Sequence, residues 1–136
     1  MTLSHKLIFW FFIMITGSCF SQSDTLNANS LKPLKKNSPN YFCERSINKI
    51  IIKEGYKIED KLNGEIRFYE QGKLVNVFTY KDDLPNGSYA AYYFPGGNIY
   101  ITGAFKDGKK EGVWKEYDTK GKLSIVKKYH NDEQIE

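Results

Sequence analysis

Residues 87–107 read GSYAAYYFPGGNIYITGAFKD, and this stretch decides the fold. Its two halves, Ser88–Phe94 and Ile99–Phe105, are rich in aromatic and β-branched residues, which favour β-strands. The Pro-Gly-Gly between them supplies the positive-φ position that a tight turn requires. The stretch therefore predicts one β-hairpin.

The same spacing occurs once before this hairpin and once after it. Each unit has a glycine, a large side chain two residues later, a tyrosine five residues later, a turn glycine, an aliphatic residue and a closing aromatic. In that order the positions are Gly64, Gly87 and Gly112; Ile66, Tyr89 and Trp114; Tyr69, Tyr92 and Tyr117; Gly72, Gly96-Gly97 and Gly121; Leu74, Ile99 and Leu123; Tyr80, Phe105 and Tyr129. The units are offset by 23 to 25 residues, which predicts a repeat protein.

Each unit reads as two strands. The first strands are Glu65–Tyr69, Ser88–Phe94 and Val113–Tyr117, and the second are Lys73–Tyr80, Ile99–Phe105 and Lys122–Tyr129. Longer breaks, 81–86 and 106–111, join one unit to the next. The sequence thus predicts an all-β chain, an antiparallel meander of repeated β-hairpins.

Side-chain alternation assigns faces to these strands. Leu74, Phe78 and Tyr80 fall on one face of the second strand, as do the corresponding residues of the other units. In the first strand the aromatic positions are three apart, as in Trp114 and Tyr117. Either both faces of the sheet are covered, or a bulge intervenes.

Residues 41–63 predict a degenerate hairpin that caps the array. Its predicted strands are Lys49–Lys53 and Tyr56–Glu59, with Glu54-Gly55 as the turn. End units of repeat arrays are atypical because one of their faces meets water. A short helix over Ser46–Lys53 is the alternative. Residues 64–136 hold the three complete repeats.

The pattern over Tyr56–Asp132 resembles the MORN repeat, in the bacterial variant found in secreted and toxin–antitoxin-associated proteins. The shared features are the first glycine, the aromatic at +2, the tyrosine at +5, the turn glycine, the aliphatic and the closing aromatic, on a period near 24. Ile66 departs from this pattern, because an aromatic is usual there. The resemblance implies an elongated single-layer β-meander used for binding or assembly.

Residues 1–21 predict a cleaved secretion signal. Lys6 precedes the apolar run Leu7–Ile15, which as a helix would span about 14 Å, half of a bilayer core of about 30 Å. Cleavage before Gln22 gives a periplasmic or secreted protein. The alternative is lipidation of Cys19, which gives a membrane-anchored lipoprotein. Residues 22–40 are rich in Ser, Asn, Lys and Pro and predict a flexible tether.

The chain has 136 residues, two cysteines and a net charge of +4. These values fit one small domain and exclude a multi-domain enzyme, a disulfide scaffold and a polytopic membrane protein. Removal of residues 1–21 leaves Cys43 as the one cysteine. Pairs such as Lys127-Lys128 suit solubility, and contact with an anionic membrane surface is the alternative. Nucleic acid is not a predicted partner.

The sequence predicts no catalytic, metal or cofactor site. Cys43 and His130 are distant in the chain, so a nucleophile–base pair requires the array to fold back on itself. The acidic residues of the longer breaks read as turn residues: Asp82, Asp83 and Asp107. A carboxylate pair for an envelope hydrolase stays open among Glu65, Glu111 and Glu116.

Aromatic residues are the main candidates for function. Most belong to the core, because each ring buries roughly 150–250 Å². The alternative is an exposed face that grips a sugar chain or a peptide, with candidates Tyr69, Tyr89, Tyr92, Tyr93, Trp114 and Tyr117.

The predicted function is a non-enzymatic exported repeat module that binds or assembles with an unknown protein or an envelope polymer. An antitoxin- or immunity-like protein that occludes a toxin is the first alternative, because an open sheet edge or an aromatic face suits such binding. An envelope hydrolase is the second.

Overall fold

The computed structural model describes residues 27–95 and 97–136. They form one sheet of nine antiparallel strands in chain order, so the predicted all-β meander of consecutive hairpins is confirmed. The strands are β1 Tyr41–Arg45, β2 Ile51–Ile58, β3 Lys61–Glu70, β4 Lys73–Lys81, β5 Leu84–Tyr92, β6 Ile99–Lys106, β7 Lys109–Tyr117, β8 Leu123–His130 and β9 Glu133–Gln134. The predicted signal, Cys19 and residues 22–26 of the predicted tether lie outside the described residues.

Two-residue turns close five of the hairpins. Both turn residues have positive φ at Glu59-Asp60, Gln71-Gly72, Asp82-Asp83, Asp107-Gly108 and Asn131-Asp132. Such turns match the right-handed twist of the flanking strands. The prediction of longer breaks at 81–86 and 106–111 is wrong. Only two residues separate the strands there, because β5 already begins at Leu84 and β7 at Lys109.

The first glycine of each repeat lies in a bulge inside a strand. Phe78 faces Tyr89 and Tyr80 faces Pro85, so residues 86–88 of β5 oppose a single residue of β4. Gly87 accommodates this bulge with a φ of +124°. Equivalent register shifts accompany the first glycines of the other two repeats.

A second bulge changes the face of one residue in each unit. Phe68 faces Asn76 but Tyr69 faces Leu74, so Val75 is an extra residue. Leu74 therefore lies on the opposite face from Phe78, and the common face predicted for them is wrong. Tyr100 and Ser124 are the extra residues in the other units.

One side of the sheet, the aromatic face, is a continuous series of rings from β3 to β8. Neighbouring ring centroids lie 4.5 to 6.0 Å apart. The rings are Phe68, Phe78, Tyr80, Tyr89, Phe105, Trp114 and Tyr129. Tyr117 lies on the opposite face from Trp114, so both faces of the sheet carry aromatics.

The other side, the covered face, packs against residues 27–40. Its members include Arg67, Tyr69, Val77, Tyr92, Ile99 and Tyr117. Ala28 and Leu31 pack on the cluster around Val77, and the Ala28 N–H donates to the Gly97 carbonyl at 2.9 Å. Residues 27–40 are therefore packed on the sheet, whereas the composition of this segment predicts a flexible tether.

The first hairpin of the sheet is formed by β1 and β2, joined through residues 46–50, whereas the two strands predicted for the capping hairpin both fall largely in β2. Strand β2 continues through Glu54 and Gly55, so the turn predicted there is wrong. A Cβ on Gly55 would lie 2.6 Å from Cδ1 of Ile66. Gly55 thus provides space for a side chain of the next strand.

Candidate functional site

The six aromatics predicted for binding do not form one exposed face. Tyr89 and Trp114 lie on the aromatic face, where Trp114 is 3% exposed. Tyr69, Tyr92 and Tyr117, the tyrosines at +5 of the repeats, lie on the covered face. The hydroxyl of Tyr93 donates to the Tyr117 carbonyl at 2.8 Å. All six are buried or half-buried: Tyr69, Tyr89, Tyr92, Tyr93, Trp114 and Tyr117.

The covered face holds a buried carboxylate that the sequence analysis missed. Glu54 is 5% exposed, and its two carboxylate oxygens accept hydrogen bonds from the Tyr41 and Tyr69 hydroxyls, each at 2.5 Å. Burial acts to raise the pKa of Glu54, but these bonds and the Lys36 ammonium outweigh it and hold the pKa below its ordinary value. Burial and Glu54 together raise the pKa of both phenols. The protons therefore stay on the tyrosines.

Arg67 lies beside this carboxylate and fastens residues 27–40 to the sheet. Its Nε donates to Oε1 of Glu65 at 2.6 Å, and its Nη2 donates to the Lys32 carbonyl at 2.5 Å. The Lys35 N–H donates to the Tyr56 hydroxyl at 2.8 Å. These polar bonds supplement the apolar contacts of the same segment.

The three carboxylates considered for hydrolysis have separate partners. Glu65 accepts from Arg67, and Glu116 accepts from Nζ of Lys127 at 3.2 Å. The Asn131 N–H and then the His130 side chain hold the pKa of Glu111 below its ordinary range. Glu65 lies on β3 and the other two lie on β7, about 19 Å away at about 4.8 Å per strand. The sheet does not bring Glu65 together with either of them.

The nucleophile and the base considered in the sequence are also far apart. Cys43 lies on β1 and His130 on β8, at opposite ends of the strand order. Among residues 27–95 and 97–136, no group of three or more His, Cys, Asp or Glu side chains is placed to hold a metal ion. Over the same residues, no helix has the length and apolar character to cross a bilayer.

Over β7 and β8, several residues on the side of the covered face are exposed to solvent. Val113, Leu123 and Val126 are 50%, 47% and 54% exposed. Lys115 pairs with Val126 and Lys128 with Val113, so these lysines share that face. We call these five residues the terminal surface. The residues equivalent to Leu123 in the first two repeats are Leu74, which is half-buried, and Ile99, which is buried. Both are less exposed than Leu123 because residues 27–40 pack near them.

An open strand edge adjoins the terminal surface. Strand β9 has two residues and pairs with Tyr129 and His130. The Lys128 N–H donates to the Glu136 carbonyl, which extends this cover by one residue. In the described part of the chain, no strand pairs with the outer edge of β8 over residues 123–127. Unpaired backbone groups beside exposed apolar side chains can bind another chain.

No protein-family model, no curated protein and no solved structure matches the chain. The MORN resemblance thus stays a prediction from the residues that carry it. The functional interpretation rests on the geometry of the covered face and of the terminal surface.

Proposed function

We propose that this chain is a non-enzymatic, exported repeat module that binds a protein partner through the terminal surface. The observation that carries the proposal is the half-exposed state of Val113, Leu123 and Val126 beside an unpaired stretch of β8. Exposed apolar side chains beside an unpaired strand edge are a typical setting for binding another chain. The lowered pKa values of Glu54 and Glu111 argue against either of these two residues as a proton donor at neutral pH.

The partner's chemistry follows from the residues at this surface. Lys115 lies beside the apolar residues, whereas Nζ of Lys128 already pairs with Glu136 at 3.3 Å. This arrangement favours a partner with an apolar centre and an acidic group that reaches Lys115. An extended partner segment could also pair with the outer edge of 123–127, since main-chain hydrogen bonds are the usual basis of strand addition.

The test is site-specific photo-crosslinking in the producing cells. A benzophenone side chain replaces Val126 in one variant and Lys81 in the control, which is exposed at the far end of β4. We expect a protein adduct at position 126 and none at position 81. Equal adducts at both positions, or none at 126, would contradict the proposal.

The identity of the adduct separates the alternatives. A protease-sensitive adduct supports a protein partner, whereas a lipid-mass adduct would support the anionic membrane surface instead. If the captured protein is a toxin whose activity the purified chain blocks, the antitoxin-like alternative is the correct form of this proposal.

Export has its own test, since it rests on residues 1–21. We expect the mature protein to begin at Gln22. Palmitate labelling that disappears in Cys19→Ala would instead support the lipoprotein, and a full-length protein in the cytoplasm would contradict export altogether.

A further inference from the structure

A pocket of about 440 Å³ lies on the covered face, away from the terminal surface. Residues of the 27–40 segment, the β3–β4 turn, Pro95 and Gly97 line it. Its lining includes Ala28, Asn29, Arg67, Tyr69, Lys73 and Pro95. This volume falls within the range of small-molecule sites.

Arg67 supplies the main charge of the pocket. The residue is 8% exposed, and its Nε and Nη2 are used by Glu65 and by the Lys32 carbonyl. Nη1 is the guanidinium nitrogen that these bonds do not use, the Tyr69 hydroxyl lies close to the guanidinium, and Arg67 lines the pocket. Glu65 offsets the charge of Arg67, and Lys73 adds a second positive charge to the lining of the pocket. A guanidinium with one nitrogen outside these bonds, in a pocket that an ammonium also lines, favours a carboxylate.

Apolar groups lie next to these charges. Leu74 and Pro95 line the pocket together with the Tyr69 side chain. Tyr69 is held in place by its hydrogen bond to Glu54. The pocket therefore combines an anion-binding side with an apolar side, as small-ligand sites commonly do.

We propose that this pocket binds a small organic carboxylate, with the carboxylate on Nη1 of Arg67 and Nζ of Lys73 and the apolar part against Leu74 and Pro95. This site is distinct from the terminal surface. Its success or failure leaves the proposed protein-binding function unaffected.

The test is an NMR titration of the ¹⁵N-labelled full chain with 3-phenylpropionate, and 3-phenylpropanol serves as the neutral match. We expect the acid, and not the alcohol, to shift the amides of Gly72 and Gly97 saturably. Lys73→Gln should weaken binding about threefold, in keeping with one exposed charge. Lys81→Gln, at the other end of β4, should leave the affinity unchanged. Arg67→Lys should weaken binding about tenfold through loss of the planar donor set.

Several outcomes would overturn the proposal. They are the absence of saturable shifts at Gly72 and Gly97, equal shifts with the alcohol, or equal effects of the two glutamine variants. If Arg67→Lys loses the dispersed spectrum of a folded chain, the comparison of Lys73→Gln with Lys81→Gln decides the matter.

Discussion

The Trp114 indole lies directly on Gly103: a Cβ on this glycine would be 2.3 Å from Cδ2 of the ring. Gly55 lies against Ile66 in the same way in the first repeat. In the second repeat Phe78 occupies this position, and its ring centroid lies 4.5 Å from that of Tyr89. The residue at +2 in each repeat thus packs on the strand before it, which joins consecutive strands through side chains as well as through the backbone.

The first prediction concerns this contact. Gly103→Ala should lower the free energy of unfolding by about 1–3 kcal/mol, because the new methyl group requires the indole to move. Trp114→Ala should cost about 3–5 kcal/mol, since it removes a buried aromatic. Urea denaturation followed by circular dichroism measures both changes.

The double variant separates this contact from other causes. In Gly103→Ala/Trp114→Ala the methyl group has space, so the combined cost should be smaller than the sum of the single costs. Strict additivity, or an unchanged unfolding curve for Trp114→Ala, would contradict the packing described here.

A second prediction concerns a polar contact that recurs between repeats. Nδ2 of Asn86 donates to Oδ1 of Asp107 at 3.0 Å, and Asn63 donates to Asp82 at 3.2 Å. Asn86→Ala should cost about 0.5–1.5 kcal/mol, the usual contribution of one hydrogen bond. Asn48→Ala, in the exposed 46–50 turn, is the matched control and should change stability by no more than about 0.5 kcal/mol. Thermal unfolding that does not distinguish the two variants would contradict this role for Asn86.

A third prediction concerns acid stability. Because the pKa of Glu54 is lowered in the folded chain, its contribution to stability is present above the ordinary carboxyl pKa of about 4.3 and is lost as pH falls through the folded value. Glu54→Gln should cost roughly 2 kcal/mol at pH 7, because one phenol keeps only a neutral carbonyl acceptor and the other faces an amide NH2, which cannot accept its proton. Its unfolding free energy should also depend less on pH between 6 and 3 than that of the unsubstituted chain.

The control for this experiment is Glu44→Gln on the adjacent strand. Glu44 lies 3.9 Å from Nζ of Lys53 and is partly exposed, so removal of its charge should change stability by less than about 1 kcal/mol. If Glu44→Gln flattened the acid dependence as much as Glu54→Gln, the buried carboxylate would not be its source.

The meander itself could be predicted because its determinants are local. Turn residues, β-branched runs and the period near 24 residues are all visible in the sequence. Asp82 and Asp107 lie in the turns where the sequence analysis placed them. The strand bounds were less accurate, because a glycine in a bulge and a glycine in a turn look alike: Gly87 belongs to the first kind and Gly72 to the second.

The polar interior of the covered face could not be predicted in the same way. Glu54 and Arg67 become neighbours only through the register of β2 with β3, and the acceptor for Arg67 is a backbone carbonyl of Lys32. Nor does the sequence show that Leu31 packs on the cluster around Val77, which lies far from it in the chain. Neither Glu54 nor Arg67 carries a signal in the sequence, because charged side chains on strands are ordinarily exposed.

The repeats follow one another along the sheet in chain order, and the last repeat supplies the proposed binding surface. Deletion of residues 87–111 tests this arrangement most directly, because it removes one whole repeat and joins Asn86 to Gly112, which recreates an Asn-Gly bulge. We predict that the shortened chain keeps a β-sheet circular dichroism spectrum, unfolds cooperatively, and forms the same photo-crosslinked adduct through position 126. An unfolded chain, or a folded one that no longer forms this adduct, would contradict the account.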